Sequence, residues 1–527
     1  MLQSLPPELI VDIFARLDLR SVLRCTQLCH LLHDIVSQTP RLRYLILLAV
    51  HGKEESGLPS ALNIEERIAT LSLHASRWES LNFASEYTIP MRNGDYWELY
   101  GNVLAQSVPN TTRIECEQLA APTRGIAQEQ WSIEDLNSDA RESDFVIDPA
   151  QDLLVVAGNT FARRDFVPEE DLGYVFHIRD IRTGANHPKT ALKPAFVCIP
   201  AEALNLNVSF FMKTAGDFFG VRVEYFDDNV LDELRIWNWK TGVLHLHLTG
   251  RPDEICSFVF LSTTHIIVAF QPTAGTFTDN PRLRIIAFDT PLSKETRIAQ
   301  AKYTLALDLP SLMYNPSFGE VRLDCEPSPT WRPSTTLSAP FCNSPQAHVC
   351  IITILPDELP GCILAVPLET FRSHLHQVEP DLATSLAWDE WGPRGSRLLE
   401  TDCQLVADLQ VDILVYGTRF IAPVLEGEPE DEDDDPGVAL VVYDFNRLAA
   451  KKAKTVDSEG AEPGGDTIMN VFDGPTVSSL SMFQHPVTTW LPYRRVLLPL
   501  GFDPEGLLIG EDGLVIIRDN KFFVKSV

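Results

Sequence analysis

Two histidine pairs offer the first chemistry to weigh. His245-Leu246-His247 and His374-Leu375-His376 each set imidazoles two residues apart. On a strand that spacing puts both on one face, where they could supply two ligands to a metal ion. No carboxylate or third histidine close by completes either set, so packed or exposed strand histidines are the plainer reading. Asp227-Asp228 and Asp389-Glu390 are adjacent carboxylates. Neighbours on a strand or turn point apart, which suits paired acid–base work badly and suits solvated loops well. Trp237, Trp239, Trp388 and Trp391 could be aromatic hot spots for a peptide or glycan; packing between sheets is the competing role and the simpler one. Cys25, Cys29 and His30 crowd into one short stretch, where packing against a partner accounts for them. The chain has no Gly-rich loop leading into Lys-Ser/Thr, no G-x-S-x-G elbow and no H-E-x-x-H helix. No catalytic residue, metal or cofactor is therefore expected.

The elements that position a function are clearer at the N-terminus. Pro6 and Pro7 suit the start of a helix, where a missing N–H costs nothing. Leu9, Ile10, Ile13, Phe14 and Leu17 then recur on one helical face, with Glu8, Asp12 and Arg16 opposite. Asp18 and Ser21 can cap a second helix carrying Val22 and Leu23. Leu28, Leu32, Ile35 and Val36 form a third stripe, and Pro40 is expected to close it. Three helices this short cannot bury their own apolar faces, so the unit needs the rest of the chain or another protein to cover it.

The Leu5-Pro6-Pro7-Glu8-Leu9 opening, the Ile13-Phe14 pair, Leu17, Leu23 and the Leu28-Cys29 pair before a last helix resemble the F-box. The resemblance implies a trihelical module that binds a Skp-family adaptor and, through it, a cullin-based ubiquitin ligase. It implies adaptor contact by Leu5, Pro6, Leu9, Ile13, Phe14, Leu17, Leu23 and Leu28. Many F-boxes carry an aromatic near the position of Leu32, where this chain has leucine.

The 527 residues exceed what one core serves, so two or more domains are expected. The 43 basic and 73 acidic residues give a net charge of −30, a field that repels phosphate backbones and argues against nucleic acid as a partner. No basic start with an apolar stretch marks a secretory leader, and no run long enough to span a membrane is seen. The 10 cysteines are scattered without C-x-x-C pairs, which fits free thiols in a reducing, intracellular setting, cytoplasm or nucleus.

Residues 42–50 are a short apolar run, helix or strand by pattern, and Asn63-Ile64-Glu65-Glu66 looks like a capping box opening a helix through Trp78. Residues 1–42 thus read as the F-box and 43–84 as a helical linker. From residue 85 to 527 the pattern changes to short β-rich runs broken by Gly, Pro, Asn and Asp. Asp152–Ala157 with Tyr174–Asp180, Phe218–Val223 with Leu234–Lys240, and Phe258–Phe270 with Leu283–Thr290 are weak repeats of strand, turn and strand. Spacings of about 40–70 residues are those of stacked four-stranded units, hence a degenerate β-propeller of six to eight blades. Ile236-Trp237-Asn238-Trp239-Lys240-Thr241-Gly242 looks like a WD-type blade end with Asn where Asp is usual. A large β-sandwich, or two smaller β domains, is the competing architecture. Trp97–Gly101 and Asp144–Val155 resemble segments of a large group of fungal F-box proteins with such a β-rich C-terminal region.

The acidic run 426–436 is expected to be a long hairpin loop, and 450–467 a flexible segment. A basic partner could dock on the acidic run, although a solvated insertion explains it as well. The fold class expected is multidomain, α then all-β. The function implied is a substrate receptor without catalysis of its own. A non-degradative scaffold and, more remotely, a propeller enzyme are the alternatives.

Overall fold

The computed structural model describes residues 5–58, 60–92, 96–134, 136, 144–159, 173–190, 195–198, 208–227, 229–271, 281–291, 294–312, 318–333, 339–356, 361–379, 382–399, 414–426, 437–457 and 470–527. Helices α1 (Pro7–Phe14), α2 (Leu19–Thr26), α3 (His30–Gln38), α4 (Pro40–Val50) and α5 (Ile64–Ser80) come first, and the rest is mostly strand. Pro40 does not end the helical stretch. It sits at the first position of α4, where its missing N–H and fixed φ are an advantage, so Thr39 alone makes the corner. That resolves 42–50 as helix. The expected capping box is present: Asn63 Oδ1 accepts from Glu66 N at 3.0 Å, and Glu66 Oε2 accepts from Asn63 N at 2.7 Å.

Most of the described strands form seven sheets of four or five strands, arranged as a seven-bladed propeller; Lys53–Glu55 with Phe341–Asn343, and Thr476–Ser478 with Val487–Thr489, form two small two-stranded sheets outside it. The innermost strands of blades 1 to 7 are Trp97–Tyr100, Asp144–Asp148, Val208–Ala215, Ile255–Phe260, Phe318–Asp324, Val415–Tyr416 and Gly506–Ile509. In blades 1 to 6 the first four strands run outward by antiparallel pairing in chain order; Thr296–Arg297 and Thr384–Leu386 add to blades 3 and 4 in parallel, and in blade 6 Asn470–Phe472 lies outside the later strand Tyr493–Pro499. Blade 7 is the exception. Its outer strand is Ser85–Pro90, which pairs in full antiparallel register with the C-terminal strand Lys521–Ser526. The two ends of the β region thus close the ring within one blade.

Between neighbouring blades the alternating apolar residues interdigitate. Blades 2 and 3 bury Phe176, Phe219 and Trp237 against one another, with Phe219 and Trp237 stacked at 6.0 Å. Trp237 and Trp239 are thus core residues. Trp391 is also buried and donates its Nε1 hydrogen to Asp308 O at 2.9 Å. Full burial of each such side chain is worth about 1.5–3 kcal/mol, so the ring is held by its inter-blade seams.

Three expectations change. Lys53–Glu55, inside the segment read as helical, is a strand that pairs with Phe341–Asn343 of blade 5. His374 lies in helix α6 (Leu368–Leu375), not a strand, so the two-residue spacing sends His374 and His376 to different faces. Within the segment read as flexible, helix α8 (Arg447–Asp457) forms because Asn446 caps it, accepting from Leu448 N at 3.0 Å and Ala449 N at 3.2 Å. Residues 458–469 and 427–436 lie outside the described residues. The strands that flank the acidic run, Arg419–Glu426 and Gly437–Asp444, are direct antiparallel partners, as a hairpin requires.

Candidate functional site

Antiparallel order puts the first-to-second connections of all blades, and the third-to-fourth connections of blades 1 to 6, at one end of the ring. Among the described residues, the arm's hydrogen bonds and ion pairs to the propeller fall at that end. Phe341–Asn343 belongs to the first-to-second connection of blade 5, Arg124 to the third-to-fourth connection of blade 1, and Glu511–Asp512 to the first-to-second turn of blade 7. Lys53 Nζ, buried, bonds Glu511 Oε1 at 2.9 Å and also Asn343 Oδ1. Arg124 grips Asp512 with Nε to Oδ1 at 2.6 Å and donates from Nη1 to Phe341 O at 2.7 Å. From α5, Trp78 Nε1 donates to Glu511 O at 3.2 Å, and His74 Nε2 lies 3.3 Å from Asp512 Oδ1. Burial pushes the His74 imidazole down to about 4, while the Asp512 contact works in the other direction; His74 is therefore neutral near pH 7. The paired Arg124 and His74 hold the Asp512 carboxyl well below the usual range against its own burial. The arm is thus riveted to the propeller by ions and dipoles removed from water.

The far end of the arm has the opposite chemistry. α1 to α4 bury a small core of Ile10, Phe14, Val22, Leu32, Val36 and Leu42. Asp18 caps α2, accepting from Ser21 N at 3.0 Å and from Ser21 Oγ at 2.6 Å, and those bonds lower its pKa. Outside this core the same helices expose Leu5, Leu9, Ile13, Leu17, Leu23, Leu28 and Leu31, with Leu9 at 50% and Leu28 at 74% exposure. Pro6 is exposed beside them. Single exposed leucines are ordinary; a run of them on three adjoining helices is an interaction surface. Phe14, expected among the contact residues, is 1% exposed and belongs to the inner core, where it supports the face instead of forming it. The helical period that put Phe14 beside Ile13 could not decide which of the two turns inward. Leu31 was missed because it sits between stripe positions of α3.

Several of the residues first weighed for chemistry have structural partners. His245 Nδ1 is 2.9 Å from Phe288 O, and His247 Nε2 is 2.8 Å from Glu233 Oε2, a carboxylate on the paired strand of the same hairpin. Glu390 caps α7 (Trp388–Gly395) by accepting from Ala387 N at 2.8 Å, so Asp389-Glu390 opens a helix and is no loop. Asp227 accepts from Asn229 N at 2.9 Å in a turn, and Asp228 lies outside the described residues. Among the described residues, no group of three or more His, Cys, Asp or Glu is placed to hold a metal ion. No helix among them is long and apolar enough to cross a membrane.

Comparison with known proteins agrees at the N-terminus. No curated protein matches the chain. A solved structure titled "AtxE2 Isopeptidase - APO" is similar over 68% of this chain at 10% identity and a TM-score of 0.19; the likeness takes in about half (48%) of that structure's length and at this score carries no argument. The F-box-like family model matches residues 2–46, which takes in α1, α2, α3 and the start of α4, the four helices that close the small core. The chain thus carries an F-box-like domain at its N-terminus and a seven-bladed propeller after it.

Proposed function

We propose that the chain is a substrate receptor of a ubiquitin ligase. Its exposed helical face seats a Skp-family adaptor, the adaptor joins it to a cullin scaffold, and the propeller holds the target protein. The observation that carries this reading is the exposed apolar face of α1 to α3 in a chain whose other large apolar groups are mostly buried. The contact set is Leu5, Pro6, Leu9, Ile13, Leu17, Leu23 and Leu28, with Leu31 added and Phe14 acting from beneath. The chain itself performs no chemistry. It raises the effective concentration of target lysines near activated ubiquitin bound elsewhere in the assembly. Such a role places it inside the cell, in cytoplasm or nucleus, where the ligase works. The riveted arm supports the reading, since it fixes the distance between target and adaptor.

The test is co-expression with a Skp-family adaptor, followed by titration of purified chain. The parent chain should co-elute with adaptor, and a chain without residues 1–42 should not. Leu5→Ala with Pro6→Ala should weaken binding over tenfold, about 1.4 kcal/mol or more. Unchanged affinity in that double variant would overturn the assignment.

A further inference from the structure

The contact face of the F-box-like domain carries charge as well as leucine. Residues 1–50 hold five arginines and four carboxylates in a chain whose net charge is −30. From Ile13 to Leu28 the balance is Arg16, Arg20 and Arg24 against Asp18 alone. Asp18 is engaged as the cap of α2, where it accepts from Ser21 N and Ser21 Oγ. All three arginines are exposed. Among the described residues, none of them makes an ion pair or a side-chain hydrogen bond. Other arginines of the arm do have carboxylates in reach: Arg41 lies 3.9 Å from Asp12, Arg43 3.7 Å from Glu65 and Arg67 3.1 Å from Glu55.

The arginines share the face of the leucines. Val22 is the one buried residue of α2, so Arg20, Leu23 and Arg24, at i, i+3 and i+4, project together on its outer side. Arg16 lies in the turn after α1, three residues past Ile13 and next to Leu17. The fold gives no reason for this placing. Arg20 is in the first turn of α2, where the helix dipole disfavours a cation, and no acidic residue accompanies it there. Arg20 and Arg24 are like charges one turn apart, which weakens a helix. Arg20→Glu would correct both faults, since it suits the dipole and pairs with Arg24 in the favoured orientation. For α2 alone, the natural residue is the poorer one.

We infer that Arg16, Arg20 and Arg24 recognise acidic side chains bordering the adaptor's apolar groove and steer its association. The assignment rests on the adaptor reading above and adds to it the chemistry of the partner's rim. Complementary charge at the edge of an interface acts chiefly on the rate of encounter and on the choice of partner. A chain of net charge −30 repels an acidic partner over most of its surface. The local reversal on α1 and α2 leaves such a partner a favoured place to dock, and it is the place where the leucines stand exposed.

Stopped-flow association of the full chain with a purified Skp-family adaptor tests it. At about 0.01 M salt, Arg20→Glu should associate about tenfold more slowly than the parent, with a melting temperature unchanged or raised. At about 1 M salt, where screening acts within about 3 Å, most of that ratio should vanish. Lys521→Glu is the control. It makes the same change in net charge at an exposed position beside the second-to-third turn of blade 7, at the other end of the ring, and should leave association unchanged. Equal rates for parent and Arg20→Glu, an equal slowing by Lys521→Glu, or a lower melting temperature for Arg20→Glu would each overturn the inference and leave the adaptor reading standing, since adaptor still binds. A parent chain that binds no adaptor would overturn that reading and this inference with it.

Discussion

The two ends of the helical arm bury opposite things. At the propeller end, Lys53, His74, Arg124, Glu511 and Asp512 are all almost wholly out of water, each against a partner fixed by the fold. At the other end, leucines stand in water above a core of only six buried side chains. A buried charge is tolerable only where its partner is always present, because an uncompensated ion in the interior costs several kcal/mol. An exposed leucine costs far less while it waits. The charged end is therefore a permanent joint and the apolar end a surface for a partner that comes and goes.

The sharpest way to break this contrast is at the joint. Arg124→Leu leaves Asp512 buried without its main cation, while Lys53 still holds Glu511, and should cost about 3–5 kcal/mol. A denaturant midpoint well below that of the parent, with faster proteolysis between α5 and blade 1, is the expected readout. Arg124→Leu with Asp512→Leu should recover part of the loss, since apolar replacement of a whole pair is far milder than removal of one partner. Equal damage in both would mean that the pair matters through its shape and not its charge.

Phe14→Ala comes next. It removes the largest side chain of the small F-box core, and about 3 kcal/mol is expected, at the low end for such a change because four short helices can partly collapse. The loss should be confined to residues 5–50 in hydrogen exchange, with the propeller amides unchanged. Propeller amides that exchange faster would show that the arm and ring unfold as one unit.

Acid should weaken the joint specifically. His74 is neutral in the fold because burial lowers its pKa to about 4, whereas in the unfolded chain it titrates near 6.5. Between those values the unfolded state binds the extra proton. Stability is therefore complete above about pH 6.5 and falls as the pH drops towards 4. Asp444 acts lower down. Arg494 and Arg419 hold its folded pKa at about 2 against its burial, so its contribution is present above the unfolded value of about 3.9 and is lost as pH falls towards 2. Urea midpoints at pH 7, 5.5 and 4 should fall in that order, and His74→Gln should flatten the slope. A slope unchanged by His74→Gln would assign it to other buried histidines, such as His51 and His348, whose pKa values burial also lowers.

How much of this was legible beforehand divides along the same line. The exposed end was readable because short helices write their faces directly in a local period, and Leu9, Ile13 and Leu17 show it without help from distant residues. The blades were readable as a class, since strand, turn and strand repeat locally. Their number was not, because the ring closes through Ser85–Pro90 and Lys521–Ser526, a pairing across almost the whole propeller. The joint was not readable at all. Lys53, Arg124 and Glu511 are ordinary surface-type residues in sequence, and only the fold makes them neighbours. Glu233 and Phe14 were hidden for a nearer reason: strand register sets Glu233 beside His247 within one hairpin, and the packing of four short helices turns Phe14 inward.

The smallest expected effects separate contact from stability. Leu9→Ala should leave the melting temperature almost unchanged, within about 0.5 kcal/mol, since its side chain is in water in the free chain. Its cost should appear in adaptor affinity alone, which is the reverse of Arg124→Leu. Smaller still is Glu86→Ala. Glu86 pairs with Lys525 at 2.8 Å across the seam that closes the ring, with Glu86 mostly in solvent. Solvent screening leaves such a pair worth about 0–1 kcal/mol. The seam is held instead by its backbone ladder and by Ile89 and Phe522, both buried beneath it. A large drop in thermal stability for Glu86→Ala would mean that ring closure depends on this ion pair. The division between a charged interior joint and an inconsequential charged surface would then fail at the place where it is easiest to check.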